Sequence, residues 1–147
     1  MTIKIEYFSD VLCIWAYSGQ VRMDELKHEF GNQIEIDYRF VPIFGAGKQH
    51  VENTWKDEGG VSGFNQHLQD VAKNWSHISL FPDLWTKVAP QSSIGVHLYL
   101  KAIQLLQKQG VIDHADVAEF DGRTCFEQAI WLFRDVFFRE GQDISSR

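Results

Sequence analysis

The chain has 147 residues, 44% hydrophobic and 23% charged, with a net charge of −6; this suits one domain with a buried core. The acidic balance excludes a nucleic-acid surface, which needs clustered Lys and Arg. No apolar run approaches the ~20 residues that span a bilayer, so a membrane partner is not expected either.

Residues 3 to 8 alternate, with Ile3, Ile5 and Tyr7 on one side and Lys4 and Glu6 on the other, which predicts a half-buried strand. Tyr17, Val21, Met23, Leu26 and Phe30 then form a helical stripe, closed at Gly31-Asn32 as a left-handed cap closes a helix. A second alternation, Ile34, Ile36, Tyr38 and Phe40, predicts another strand, ended by Pro42. Strand, helix and strand at this spacing make a βαβ unit over 1–42 with parallel strands, and Glu6 is expected to pair with Arg39 across them.

Residues 43–63 carry Gly45, Gly47, Gly59, Gly60 and Gly63 and read as a connecting loop. Their spacing is not that of a phosphate cradle, so no nucleotide site is expected. Residues 64–147 read as a helical subdomain. Phe64, Leu68, Val71, Ala72 and Trp75 form one stripe, and Ile94, Leu98, Ala102, Leu105 and Leu106 the next, ended at Gly110. Phe126, Ile130, Phe133 and Phe137 form the last, on a helix ending near Gly141.

The chemistry concentrates at Ser9-Asp10-Val11-Leu12-Cys13-Ile14-Trp15-Ala16-Tyr17, between the first strand and the first helix. Backbone N–H groups that open a helix have no partner within it. With the positive end of the helix dipole they favour a thiolate over a thiol, so Cys13 is the candidate nucleophile. Asp10 either tunes the thiol or caps the turn. Trp15 beside the nucleophile is a candidate substrate surface or a core residue. Cys125, beside the last stripe, reads as packing rather than a resolving thiol. Two cysteines cannot make a disulfide scaffold. Met1 to Glu6 lack a basic-then-apolar leader, so the cytoplasm, where thiols stay reduced, is the expected location. The histidines, His28, His50, His67, His77, His97 and His114, have no metal-ligand spacing, so no metal is expected.

Phe8-Ser9-Asp10-x-x-Cys13-x-Trp15-x-Tyr17-x-Gly19 resembles the active-site entry of the DsbA-like branch of the thioredoxin-fold superfamily. That branch includes FrnE-like oxidoreductases, 2-hydroxychromene-2-carboxylate isomerases and kappa-class glutathione transferases. Its dithiol members carry Cys-Pro-Trp-Cys; here the residues are Cys13-Ile14-Trp15-Ala16, with alanine at the resolving position. The resemblance implies an α/β fold, a thioredoxin-like βαβ unit with an inserted all-helical block, whose later strands and cis-proline loop are missing from this chain. It implies catalysis at Cys13, with Trp15, Tyr17 and Asp10 toward substrate. A single-cysteine thiol-disulfide oxidoreductase or isomerase is expected, with glutathione as resolving thiol and no resident cofactor. The alternatives are a glutathione-dependent isomerase or transferase, and a non-catalytic fragment or binding module. A homodimer through the open edge of strand 3–8 is the expected protein partner.

Overall fold

The computed structural model describes residues 2–145; Met1, Ser146 and Arg147, which the expected limits 1–42 and 64–147 include, lie outside them. Strand β1 (Ile3–Ser9) leads through the cysteine loop into α1 (Ile14–Phe30), and β2 (Ile34–Phe40) follows. Then come α2 (Gly47–Thr54), α3 (Gly60–Ala72), a π-helical turn at Leu84–Val88, α4 (Ile94–Lys108) and α5 (Cys125–Phe138). The fold is α/β, with a parallel two-stranded sheet among the described residues and helices for the rest.

β1 and β2 pair in register from Ile3↔Ile34 to Ser9↔Phe40. The alternation decides the two faces. Tyr7 meets Tyr38 edge-on at 5.7 Å, and Tyr38 meets Phe126 of α5 in the same way at 5.6 Å. On the other face Arg39 holds Glu6 at 3.0 Å and Lys4 lies 3.8 Å from Glu35. These exposed pairs are worth only ~0.2–1 kcal/mol each, so the inner face fixes the register.

The expected loop over 43–63 is instead mostly helical, because its glycines serve element starts rather than flexibility. Gly47 opens α2 where a Cβ would stand 2.2 Å from the carbonyl oxygen of Pro90. That same oxygen accepts from Lys48 N–H at 3.0 Å, so the close approach is used. Gly59 and Gly60 take positive φ, 91° and 61°, at the entry to α3, a conformation open to glycine at no steric cost. The helical part of the chain therefore begins at Gly47 rather than residue 64.

The core runs through Leu12 and Tyr17, Tyr38 and Phe44, and the aromatic group of Trp85, Phe137 and Phe138. Phe138 stacks on Tyr17 at 4.8 Å, which fixes α5 against α1. A capping box starts α5: Glu127 N–H donates to Thr124 Oγ1 at 3.2 Å, and Thr124 N–H donates to Glu127 Oε2 at 2.8 Å. Such a cap is worth about 1 kcal/mol.

Helix α4 departs from its sequence pattern. The stripe Ile94, Leu98, Leu105 and Leu106 faces solvent, with Leu98 67% exposed, and the buried face is Val96, His97, Leu100, Gln104 and Gln107. The inward polar residues answer backbone groups that no helix or strand satisfies. Gln104 Nε2 donates to the carbonyl of Tyr38 at 3.3 Å, and Gln107 Oε1 accepts from Phe126 N–H at 3.2 Å. An unpaired buried backbone group costs about 1–3 kcal/mol, as much as a leucine gains by burial, so hydrogen-bonding capacity orients this helix.

Candidate functional site

The site starts from the turn at Asp10 to Cys13. Cys13 N–H donates to the Asp10 carbonyl at 3.1 Å, and the Cys13 carbonyl accepts from Ala16 and Tyr17 N–H at 3.1 and 3.0 Å, the first bonds of α1. Cys13 is thus the N-cap residue, with extended backbone and no capping bond from its side chain. The residue thus holds the position at which capping side chains normally stand, at the opening of the helix. The side chain is half-buried and the thiol is free. Position 16, one turn on, is a buried alanine. Cys125, the first residue of α5, is the other free thiol.

Asp10 holds this turn from beneath. It is 0% exposed. Oδ1 accepts from Leu12 N–H at 2.9 Å and faces His97 Nε2 at 3.3 Å. Oδ2 accepts from Phe44 N–H at 2.9 Å and from Ser93 Oγ at 2.8 Å. Burial alone would raise this carboxyl, but the neighbouring His97 ring and the Phe44 and Leu12 N–H donors outweigh it and hold it below the usual carboxylate range. His97 Nε2 also accepts from Val11 N–H at 3.1 Å. The expected contact between Asp10 and substrate is therefore corrected: the carboxylate is sealed off and spent on positioning the loop.

Tyr17 is corrected in the same way. Its ring is buried against Phe138, and its hydroxyl donates to Asp135 Oδ1 at 3.0 Å. Burial first and the Asp135 carboxylate second push its ionisation well above the ordinary phenol range, so it stays a neutral structural donor. Trp15 is different: it is 58% exposed at the start of α1, with Trp75 edge-on at 5.3 Å. Of the residues expected at the site, Cys13 and Trp15 are presented outward, while Asp10 and Tyr17 support them from within.

Arg134, in the middle of α5, is a supporting residue that motif reading missed. Its guanidinium is fully buried, bonds to Gln20 Oε1 and donates to Ser9 Oγ at 3.2 Å, and its Nε has no partner. Among the described residues no carboxylate lies within ion-pair distance of it. Burial pulls its proton affinity down, against the opposing pull of Tyr7, Tyr38, Cys13 and Asp10. An isolated buried charge costs several kcal/mol, so α5 holds a positive group against the β1 end of the site at a cost in stability. A signal was present in the sequence: Arg134 takes a stripe position between Ile130 and Phe137, where an apolar residue is the rule.

His97 also lines a groove of about 490 Å³ with Phe8, Phe40, Pro42, Ile94 and Leu98, and Lys101 stands at its rim. Among the described residues no group of three or more His, Cys, Asp or Glu is placed to hold a metal ion, and no helix is long and apolar enough to cross a membrane.

No curated protein matches the chain. The family model of the DSBA-like thioredoxin domain matches residues 4–121, which spans β1, the Cys13 turn, β2, α2, α3 and α4. With a cysteine at the opening of the first helix, a parallel β1–β2 pair and helices filling the rest, the chain belongs to the DSBA-like thioredoxin domain family.

Proposed function

We propose that the protein exchanges thiols and disulfides through Cys13 alone, with glutathione as the external thiol. The observation that carries this reading is the placement of Cys13: a free, half-buried sulfur at the N-cap of α1, with alanine at position 16. The Cys13 thiolate attacks one sulfur of a substrate disulfide and forms a mixed disulfide, and the other sulfur leaves as a thiolate. Ala16 has no sulfur to resolve this intermediate from within. A glutathione thiolate therefore attacks the substrate sulfur, returns Cys13 as thiolate and leaves the substrate joined to glutathione; where the substrate already carries glutathione, Cys13 attacks the glutathione sulfur, the substrate leaves as thiolate, and a second glutathione thiolate takes that sulfur as oxidised glutathione and returns Cys13. Neither direction makes a net dithiol oxidation, which needs a second cysteine at the resolving position that Ala16 takes. Trp15, exposed two residues after Cys13, supplies an apolar surface for the segment that flanks the substrate disulfide.

The test uses a peptide carrying a glutathione mixed disulfide, with excess reduced glutathione. The wild-type protein is expected to accelerate release of the peptide thiol, and Cys13→Ser to lose the acceleration. Trp15→Ala is expected to slow reaction with apolar peptides more than with small disulfides. Full acceleration by Cys13→Ser overturns the reading and points instead to glutathione activation by a hydroxyl at the same place.

A further inference from the structure

His97 Nε2 has two neighbours that ask opposite things of it. It accepts from Val11 N–H at 3.1 Å, which needs a lone pair, and it lies 3.3 Å from Asp10 Oδ1, which needs a proton. A ring nitrogen is an acceptor or a donor, never both. With the proton on Nδ1 the Val11 bond is made, but a lone pair faces the carboxylate. With a proton on Nε2, in the neutral ring or in the imidazolium, the Asp10 bond is made and Val11 N–H meets another N–H. Nδ1 is buried without a hydrogen-bond partner, so it does not decide between them.

The ring has no room to step aside. His97 is 7% exposed and stacks on Phe40 at 5.1 Å. Asp10 is equally fixed, with Leu12 N–H, Phe44 N–H and the Ser93 hydroxyl on its carboxylate. Val11 is the member held by one bond: among the described residues its N–H donates to His97 alone. It stands two residues before Cys13. The charged groups around the ring are Asp10 of the loop, and Arg39 of β2 and Lys101 of α4, which line the groove with it; Arg134 of α5 interacts with Asp10 electrostatically. Arg39 is paired with Glu6 and Asp37, and Lys101 bonds Gln104 Oε1, so Asp10 is the charged group that competes for Nε2. The groove gives protons from solvent a way to the ring.

We propose that His97 is a proton-operated latch on the loop that presents Cys13. The neutral ring holds the Val11 N–H and keeps the loop as the structure shows it. One proton taken from solvent makes the imidazolium, whose Nε2–H bonds Asp10 with charge assistance. Val11 is then released, and the half-buried sulfur of Cys13 opens to reagents. His97 is a positioning residue that acts through Val11. The latch needs Cys13 as a thiol and does not need the exchange chemistry proposed above.

The test is NMR on the isotope-labelled chain from about pH 5 to about pH 8, the range in which histidine changes charge. Imidazole nitrogen shifts report the protonation of His97, and hydrogen exchange, relative to an unstructured amide, reports the Val11 N–H. The alkylation rate of Cys13, divided by its thiolate absorbance, reports access to the sulfur. As His97 gains its proton, Val11 protection is expected to fall about three- to tenfold, the loss of one hydrogen bond, and alkylation per thiolate to rise at least about twofold. Leu12 N–H, held by Asp10, is expected to keep its protection. His97→Gln takes no proton and offers Oε1 to the Val11 N–H, so both readings are expected to stay flat across the range, with circular dichroism checking its fold. A His97 that does not titrate in this range overturns the proposal. So does a Val11 protection or an alkylation rate that ignores its titration, or the same pH dependence in His97→Gln. A Cys13 inert to oxidised glutathione yet alkylated in step with His97 leaves the latch standing and removes the exchange reading.

Discussion

His97 Nε2 on α4 lies 3.3 Å from Asp10 Oδ1 in the cysteine loop and takes the Val11 N–H at 3.1 Å. One buried carboxylate–imidazole contact thus joins the start of α1 to a helix far along the chain. Asp10→Ala removes the acceptor for Leu12 and Phe44 N–H and for the Ser93 hydroxyl at once. The expected cost is about 3–5 kcal/mol, read from urea unfolding. Asp10→Asn keeps the shape but sets an NH₂ group against one of these donors, and is expected to cost about 1–3 kcal/mol.

The same carboxylate sets an acid limit. Its folded value lies below that of an unfolded carboxyl, which titrates near ~3.9. A group depressed on folding contributes stability above the unfolded value and loses it as pH falls through the folded one. The urea midpoint of the wild type is therefore expected to drop more steeply below about pH 4 than that of Asp10→Asn. Equal slopes for the two proteins count against this role of Asp10.

Arg134 separates function from stability. Replacing a buried charge by an apolar side chain of similar length is often neutral or stabilising, so Arg134→Met is expected to fold with an unchanged or higher Tm. Arg134 and the Cys13 sulfur interact electrostatically, so alkylation of Cys13 in this variant is expected to slow roughly three- to tenfold. An unchanged alkylation rate in a folded Arg134→Met protein shows that the charge does not serve the sulfur.

The inverted face of α4 gives a packing test. Leu98 is 67% exposed and Leu100 is buried completely. Leu98→Ala is expected to lie within about 0.5 kcal/mol of wild type, and Leu100→Ala to cost about 2–5 kcal/mol. Thermal unfolding of the two variants decides between the observed face and the one the apolar stripe proposes.

That stripe marks where the sequence stopped being legible. β1 and β2 were readable because their inward residues alternate with polar ones, and Tyr7 and Tyr38 point where alternation places them; on α1 the stripe placed Tyr17 correctly, but the buried face also takes Ser18 and Gln20, and Phe30 at the end of the expected stripe is exposed. On α4 the inward positions are His97, Gln104 and Gln107, chosen for backbone groups of the cysteine loop, β2 and α5 that a single helix pattern does not reveal. The glycines of 43–63 misled for a related reason: Gly47 exists for the Pro90 carbonyl, a contact between residues distant in sequence. At the site, Cys13 was legible from its junction position, since an N-cap is a local feature. Asp10 and Tyr17 were placed in the right neighbourhood with the wrong exposure, because their partners Ser93, His97 and Asp135 come from α5 and the start of α4.

The account rests on Cys13 as a thiol that enters disulfide exchange and leaves it without a second cysteine. Intact-mass measurement after incubation with oxidised glutathione, followed by site mapping, tests this most directly. The expected result is a glutathione adduct on Cys13 that disappears on adding reduced glutathione and never forms on Cys13→Ser. A Cys13 that stays unmodified while a free-cysteine peptide in the same tube is converted contradicts it.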